Sequence, residues 1–329
     1  MSDGYRDTGM LVIGEALVDI LQKTDGSVAA YTGGSPLNVA MGLARYGAQV
    51  TFATRLGDDD AAHVVLETLA REGVEVFTPP LRGATTVARG QVDSDGQADY
   101  LFESLTWDLG PADDELAALA TDASVVHSGS LAVSLDPGRF AVLNAMRAAR
   151  GRALVTFDPN VRPDTAGTRE VEAERIEEVV ALADVVRASD EDLEWLYPQC
   201  PAVDTARRWL SMGPSLVVVT SGGSDALAMT HEHLVTRAAH SVDVVDTVGA
   251  GDAVMAALIS ALVDAGCGGI GAAERVQGLS EGQVSRLLDV ALAAGALAVE
   301  SEGPDGPSRE QLLSVVGPVA DGGREGVLL

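Results

Sequence analysis

Short apolar runs alternate with helix-like segments along most of the chain, and this alternation restricts the fold more than any other feature. Met10–Ile13 is a continuous apolar run that ends at Gly14, and Leu37–Tyr46 has helical spacing and ends at Gly47. The same pattern predicts further strands at Val50–Thr54, Ser124–His127, Ala153–Asp158, Val185–Ala188, Leu216–Thr220 and Leu227–Thr230. It predicts further helices at Ala61–Glu72, Gly138–Arg150, Arg169–Ala183, Asp190–Tyr197, Asp204–Met212, Asp252–Asp264 and Val284–Glu300. Strands that alternate with helices favour an α/β fold with a central, mainly parallel sheet flanked by helices.

One segment interrupts the alternation. Thr85–Val92 and Gln97–Glu103 are short strand-like runs joined by Asp93–Gly96, which has turn composition, so this segment is predicted to form a β-hairpin. A hairpin does not fit inside a parallel core, and we expect it to project as a flap. Gly266–Gly282 is rich in glycine and polar residues and is expected to be a surface loop, and the tail Asp321–Leu329 is expected to be mobile.

The charge of the chain excludes several classes of protein. It has 22 basic and 49 acidic residues, a net charge of −27. That charge repels nucleic acids and anionic membranes, and no basic stripe offsets it, so we expect no nucleic-acid and no membrane partner. Lys23 is the only lysine, and no glycine-rich turn precedes it. This excludes a P-loop nucleotide site and an internal Schiff-base lysine.

Cysteine usage and the chain start indicate the compartment. Cys200 and Cys267 are far apart and form no Cys-x-x-Cys pair, which is typical of a reduced environment. Met1–Gly9 lacks the pattern of a secretory leader, and apolar runs such as Ala253–Val263 are too short to span a bilayer. We therefore expect a cytoplasmic protein.

The strongest chemical signal is the glycine-rich turn Val244–Asp252, which runs directly into a predicted helix. Its glycines expose consecutive N–H groups at a helix N-terminus, and this arrangement binds anions without needing a lysine. Asp252 would lie beside the bound anion, where a carboxylate is repelled unless it serves as a base for a hydroxyl nucleophile. An aspartate here is also a common helix N-cap, although Asp246 and Thr247 just upstream favour the base.

Three further motifs follow predicted strands or precede predicted helices. The paired glycines of Gly33–Asn38 permit a ligand to approach the backbone, and Asn38 suits hydroxyl groups, although a plain loop before a helix has the same pattern. Gly14–Asp19 places acids beyond the first strand, where open α/β sheets bind ligands, or in an exposed loop. Asp158–Pro163 contains Arg162, which would neutralise phosphate or orient substrate, or lie in a solvated turn.

Together these four motifs resemble those of the ribokinase-like sugar kinases, the phosphofructokinase-B family, over Met10 to about Gly303. With Ser189–Leu193, they look most like those of bacterial fructokinases and 2-keto-3-deoxygluconate kinases. The resemblance implies a single ribokinase-like domain over residues 1–329, with three layers and a lid made by segments of about 15–34 and 84–106. It also implies an ATP-dependent sugar kinase that uses Mg²⁺ and in some members K⁺, with a homodimer as the expected assembly.

The resemblance also implies a role for each motif residue. Asp252 would accept the proton of the sugar's primary hydroxyl, and the amides of Gly249, Ala250 and Gly251 would stabilise the transferring phosphoryl group. The residues expected to bind the sugar are Asp19, Gly33, Gly34, Asn38, Asn160 and Arg162, with Tyr100 and Phe102 covering it from the hairpin. The residues expected to bind the nucleotide are Ser189, Thr220, Gly222, Gly249 and Gly251, with Asp192 toward Mg²⁺ and with Asp246 and the Val248 carbonyl toward a monovalent cation.

Several positions depart from the family pattern, all on the nucleotide side. They are Asp225 in place of a glycine, Leu292 in place of a polar residue near the adenine, Glu300–Gly303 in place of Thr-Arg-x-Gly, and Ser189 and Asp192 in place of Asn and Glu. A non-catalytic sugar-binding protein is the alternative if these changes abolish ATP binding. A Rossmann oxidoreductase is disfavoured because no Gly-x-Gly-x-x-Gly follows the first strand.

Within the kinase interpretation, fructose is the first expected substrate and 2-keto-3-deoxygluconate the second. An acid sugar requires an arginine near its carboxylate, and Arg89 and Arg162 are the candidates for that contact.

Overall fold

The computed structural model describes residues 9–317 apart from 23–27, 81–82, 93–97, 166, 241 and 302. The strands in chain order are β1 (Met10–Ile13), β2 (Leu17–Gln22), β3 (Val28–Gly33), β4 (Val50–Ala53), β5 (Glu75–Phe77), β6 (Thr86–Val92), β7 (Ala98–Glu103), β8 (Val125–Gly129), β9 (Leu154–Asp158), β10 (Val185–Ser189), β11 (Leu216–Thr220), β12 (Ala226–Met229) and β13 (Leu234–Arg237). The helices are α1 (Ser35–Arg45), α2 (Asp60–Arg71), α3 (Asp113–Asp122), α4 (Leu131–Ser134), α5 (Arg139–Ala149), α6 (Arg169–Val180), α7 (Asp190–Leu196), α8 (Ala202–Leu210), α9 (Ala250–Asp264), α10 (Ala272–Gln277), α11 (Glu281–Val299) and α12 (Arg309–Val316).

The main sheet has nine strands in the order β13-β12-β11-β10-β9-β8-β1-β4-β5. Seven neighbouring strands of this sheet pair in parallel, namely β11, β10, β9, β8, β1, β4 and β5. At the other edge, β12 and β13 pair antiparallel. The predicted α/β class and mainly parallel sheet are therefore confirmed. The apolar runs at β1, β8, β9 and β11 are buried along their whole length, as expected for strands covered on both faces.

Two apolar clusters fill the spaces on the two faces of this sheet. One packs α1, α2, α9 and α11 against it, and the other packs α3, α5, α6, α7 and α8 against the opposite face, which gives three layers. Alanine, valine and leucine make up most of both clusters. Helices α1 and α9 approach so closely that a Cβ added to Gly42 would lie 2.7 Å from the Cβ of Ala256. This close packing aligns the first turns of the two helices.

A second sheet has four strands in the order β3-β2-β6-β7. All four come from the part of the chain between β1 and β8 of the main sheet. The predicted hairpin is present as the antiparallel pair β6–β7, and its turn at Asp93–Gly96 lies outside the described residues. The hairpin is not a lone flap, because β6 pairs in parallel with β2, which forms its own hairpin with β3. Two hairpins thus share one small sheet.

The expectation that Gly266–Gly282 is a surface loop is wrong in part. Ala272–Gln277 forms helix α10, with Ala272 and Val276 buried against the core. Arg275 of this helix donates hydrogen bonds to the carbonyl groups of the preceding glycine-rich segment. The tail Asp321–Leu329 lies outside the described residues.

Helix α11, with 19 residues, is long and apolar enough to cross a membrane by length and composition alone. Half of its apolar window is buried, and it packs along α9 in the core. The core helix of a globular domain has the same composition, so α11 is explained by its packing.

Candidate active site

Asp252 lies in the first turn of α9 and is almost fully buried, with 6% of its surface exposed. One carboxylate oxygen, Oδ1, accepts a hydrogen bond of 2.7 Å from the Ser35 hydroxyl, and Oδ2 accepts one of 2.8 Å from the Asn38 side-chain amide. The Asn160 amide approaches Oδ1 at 3.5 Å. Burial raises the pKa of Asp252, while these hydrogen bonds and the charges of Arg162 and Arg187 lower it. The result is a carboxylate with a raised proton affinity.

The alternative that Asp252 is a helix cap does not hold. The N-cap of α9 is Gly249, and no side chain caps this helix. Asp252 is the third residue of the helix and turns toward α1 and the loop after β9. Its carboxylate is therefore placed for a purpose other than starting the helix.

The turn before α9 requires glycine at position 249. Gly249 has φ 76°, and a Cβ there would lie 2.8 Å from the Cα of Pro304. The neighbouring amide of Ala250 donates to the Thr247 carbonyl at 3.3 Å, which holds the turn closed. The turn thus presents its backbone at the N-terminus of α9, where the helix dipole favours an anion.

The segment after α11, which departs from the family pattern, supports this turn. Gly303 donates its N–H to Asp246 Oδ2 at 3.0 Å, and Asp246 Oδ1 accepts the N–H of Val248 at 3.0 Å. The amide of Val245 donates to the carbonyl of Val299 at 2.8 Å. Both oxygens of Asp246 are thus used to shape the turn.

The charge of Arg162 acts on two acids expected at the site, Asp19 and Asp252. Burial raises the pKa of Asp19 on β2 to about 6, and the charge of Arg162 opposes that shift. Arg162 also lowers the pKa of Asp252, so one arginine lies within electrostatic reach of both carboxylates. Arg162 is exposed, and its Nη1 donates to Asn160 Oδ1 at 2.6 Å.

The paired glycines keep this space open. A Cβ on Gly33 would lie 2.3 Å from the Oδ2 of Asp19, on the adjacent strand. Gly34 has φ 120°, and a Cβ there would lie 2.4 Å from the carbonyl oxygen of Glu15. The chain thus turns from the small sheet into α1 with its backbone close to Asp19, one of the residues expected to bind the sugar.

Three of the five residues expected to bind the nucleotide lie at or just after the carboxyl ends of two neighbouring strands. Ser189 on β10 and Thr220 on β11 are direct partners in the parallel register. Gly222 follows in the turn with φ 24°, and Asp225 is exposed in the same turn. These positions share one edge of the sheet with the start of α9.

Ser189 and Asp192 have a structural function in this fold. They form a capping box that starts α7, in which the Ser189 N–H and hydroxyl both donate to Asp192 Oδ2 at 2.9 and 2.7 Å. The N–H of Val161 donates to Asp192 Oδ1 at 2.7 Å. Since both oxygens are engaged, the geometry does not favour Asp192 as a direct magnesium ligand. Over the described ranges, no three His, Cys, Asp or Glu side chains are grouped to hold a metal.

The structure adds site residues that the motif analysis did not assign. Ser35 donates to Asp252, and Arg187 forms a buried ion pair of 2.9 Å with Asp158. Burial raises the pKa of Asp158 to about 6, against the charge of Arg187. The sequence contains a signal for Arg187, because a charged residue within a buried strand such as β10 is unusual.

A buried glutamate, Glu15, connects the loop after β1 to helix α4. Glu15 accepts a hydrogen bond from the N–H of Ala132 at 3.2 Å, and burial raises its pKa to about 7 although a hydrogen bond from Ser130 lowers it.

Two expected sugar contacts remain predictions. Tyr100 and Phe102 lie on β7, but their side chains fall outside the described part of the structure.

Comparisons with known proteins agree with this arrangement. The model of the pfkB family carbohydrate kinases matches residues 7–311. A fructokinase from Rhizobium leguminosarum bv. trifolii is 34% identical over 77% of this chain and 79% of its own. The crystal structure of fructokinase with bound ATP from Xylella fastidiosa superposes with a TM-score of 0.81 at 25% identity, covering 94% of this chain and 98% of that one.

A more distant structure extends the likeness of the fold. Ribokinase from Thermotoga maritima superposes with a TM-score of 0.71 at 19% identity, covering 93% of this chain and 98% of that one. The family match spans nearly the whole described structure, including the turn before α9 and the small sheet. The chain therefore belongs to the pfkB family of carbohydrate kinases, has a ribokinase-like fold, and is a phosphotransferase that acts on a sugar hydroxyl.

Proposed function

We propose that the protein is an ATP-dependent fructokinase in which Asp252 is the catalytic base. The observation that carries this proposal is the position of Asp252, which is buried beside the turn before α9 (Thr247–Gly251, the anion-binding turn) and among residues that suit sugar hydroxyls. The relatives named fructokinase and the ATP-bound fructokinase structure support the choice of sugar and nucleotide. Among the described residues the sugar side is rich in carboxylates, which suits a neutral polyol.

The geometry supports a simple course for the transfer. The sugar's primary hydroxyl would donate to Asp252, which accepts the proton as the oxygen attacks the γ-phosphoryl group in line. The raised pKa of Asp252 strengthens it as a proton acceptor. The amides of Gly249 and Gly251, at the start of α9, would stabilise the charge on the phosphoryl group, while the amide of Ala250 holds the turn through Thr247. The four-stranded sheet would cover the sugar and limit access of water.

Magnesium would accompany the nucleotide, where it neutralises phosphate charge. Because Asp192 is engaged by backbone and hydroxyl donors, no step is assigned to a protein-held magnesium ion. We also propose a K⁺ site beside Asp246 and the Val248 carbonyl, although Asp246 is already held by two amides. Loss of K⁺ stimulation in Asp246→Ala, measured by ADP release, would support this site, and unchanged stimulation would contradict it.

We further propose a cytoplasmic homodimer. The small sheet ends in the edge strands β3 and β7, and backbone groups at open edges are available for pairing with another strand. Tyr31 on β3 is 41% exposed, which is high for a tyrosine on a sheet. Light scattering that gives the mass of one chain at micromolar concentration would contradict the dimer.

An acid sugar such as 2-keto-3-deoxygluconate is the second candidate substrate. The exposed guanidinium of Arg162 favours it, because it has donors left for a carboxylate. The other candidate, Arg89, is paired with Glu103 at 2.8 Å. Asp19 would repel an acid sugar, and this places fructose first.

A substrate panel tests the proposed function. We expect ADP release with Mg-ATP to be fastest with fructose, in a panel that includes 2-keto-3-deoxygluconate, ribose, tagatose and adenosine. A response to 2-keto-3-deoxygluconate alone would establish the second candidate instead. If no sugar responds and Asp252→Asn equals the wild type, the proposal is wrong.

The ionisation of Asp19 predicts a pH dependence of sugar binding. The pKa of Asp19 is raised to about 6, so its carboxylate loses charge as the pH falls through that value. A protonated carboxyl is a weaker acceptor for hydroxyls, and we expect the KM for fructose to rise about tenfold one pH unit below the pKa. In Asp19→Asn, KM should be high at neutral pH and flat over this range. A KM profile in Asp19→Asn that matches the wild type would assign the effect to another group.

A further inference from the structure

Arg187 is a buried cation in the middle of an apolar strand, and the function proposed above does not use it. It lies on β10 with 7% of its surface exposed. Its Nη1 donates to Asp158 Oδ2 at 2.9 Å, and its Nη2 donates to the Thr220 hydroxyl. Its Nε is buried and has no hydrogen-bond partner among the described residues. A buried charge is costly to desolvate unless its surroundings compensate it, so the contacts of Arg187 call for an explanation.

The guanidinium lies directly against the anion-binding turn. A Cβ added to Gly251 would be 2.7 Å from Nη1 of Arg187 and 3.3 Å from both Cζ and Nη2. Gly251 precedes Asp252 in the first turn of α9, so the arginine packs against the backbone that carries the base. A side chain at position 251 would require the guanidinium of Arg187 to move.

Three carboxylates surround this one buried cation. The charges of Asp158, Asp192 and Asp252 all raise the pKa of Arg187, against its burial. In return, Arg187 lowers the pKa of both Asp158 and Asp252. Without the arginine, burial and mutual repulsion would favour protonated carboxyl groups at this site.

The other groups that face Asp252 are known from the structure. Ser35 and Asn38 reach it from α1, and Asn160 and Arg162 reach it from the loop after β9. Asp19 and Glu15 also titrate near neutral pH, but the arginine that acts on them is Arg162. A change at Arg187 therefore affects the ionisation of Asp158 and Asp252 without acting on Asp19 and Glu15.

We propose that Arg187 is a positioning residue for phosphoryl transfer, which holds the first turn of α9 against β10 and so places Asp252 to accept a proton. This inference rests on the proposed role of Asp252 as the base. Arg187 contacts Gly251 and not the reacting atoms, so it acts through the turn and through the charge of its neighbours.

The pH profile of kcat/KM for the accepted sugar tests this role. In Arg187→Met we expect the acidic limb to move upward by about one pH unit or more, with a loss of kcat of about 10–100-fold. Arg187→Lys keeps the charge but cannot donate to Asp158 and Thr220 in the same fork, so the limb should stay near the wild-type position while kcat falls. A residue with a purely structural role would lower activity without moving the limb.

Asp158 titrates in the same range, and a second pair of variants separates its effect. Asp158→Asn is compared with Asp158→Asn/Arg187→Met, in which no unpaired buried carboxylate remains at position 158. If the acidic limb of the pH profile is still displaced in this background, the displacement comes through Asp252, because position 158 no longer titrates. Thermal unfolding of all variants shows which are folded, and this second pair carries the test if Arg187→Met alone does not fold.

The outcomes are distinct. An acidic limb at the wild-type pH in active Arg187→Met, in either background, overturns the inference. Lack of activity in the wild type, or full activity in Asp252→Asn, contradicts the proposed function itself.

Discussion

Asp252→Asn is expected to lower kcat by about 10²–10⁴-fold, the contribution of a general base. The amide has nearly the shape of the carboxylate, can accept from Asn38 and can donate to the Ser35 hydroxyl, so the local hydrogen bonds persist. It cannot accept the proton of the sugar hydroxyl. We therefore expect the unfolding temperature to stay near that of the wild type and the KM values to change little, while turnover falls.

A matched control lies at the other end of the same helix. Asp264 is the last residue of α9 and is paired with Arg309 at 2.6 Å, far along the helix from the anion-binding turn. Asp264→Asn makes the same chemical change and should retain kcat with a modest loss of stability. Near-normal kcat in Asp252→Asn, measured by ADP release at saturating substrates, would exclude Asp252 as the base.

The chemical motifs were predictable because each follows a strand or begins a helix, and topology fixes where those ends lie. In a parallel sheet the carboxyl ends of the strands meet at one edge, and β1, β9, β10 and β11 are close neighbours there. Glycines, acids and arginines at this edge therefore identify one site, and the structure brings Asn38 and Asn160 each within hydrogen-bond reach of Asp252.

Other features depend on tertiary packing that local patterns do not contain. β2 reads Leu-Val-Asp-Ile-Leu-Gln, without alternation, because Leu17 and Val18 are both buried where the small sheet meets the core. Helix α10 has only six residues between Gly271 and Gly278, too few to show a helical period. Arg187 is a charge in an apolar strand, and its purpose is visible only when α9 is placed against β10.

Gly249→Ala is expected to have the second largest effect, a loss of kcat of about 10²–10³-fold, similar to removing a donor from an oxyanion hole. Gly249 has φ 76°, and the added methyl would lie 2.8 Å from the Cα of Pro304, which is backbone and does not yield easily. The turn must move, and the proposed contacts of its backbone with the phosphoryl group are lost. Because these contacts strengthen in the transition state, kcat should fall more than KM rises.

Gly266→Ala is a control that separates the effect of the location of Gly249 from the effect of backbone strain. Gly266 follows the same helix at its C-terminal end, has φ 80°, and has nothing within 4 Å of an added Cβ. Gly266→Ala therefore carries the same left-handed backbone penalty, about 1 kcal/mol, without a collision and without contact with the anion-binding turn. We expect it to lower the unfolding temperature and to leave kcat unchanged. If both variants keep full kcat while both lose stability, the turn before α9 does not stabilise the transferring group, and its glycine serves only to start the helix.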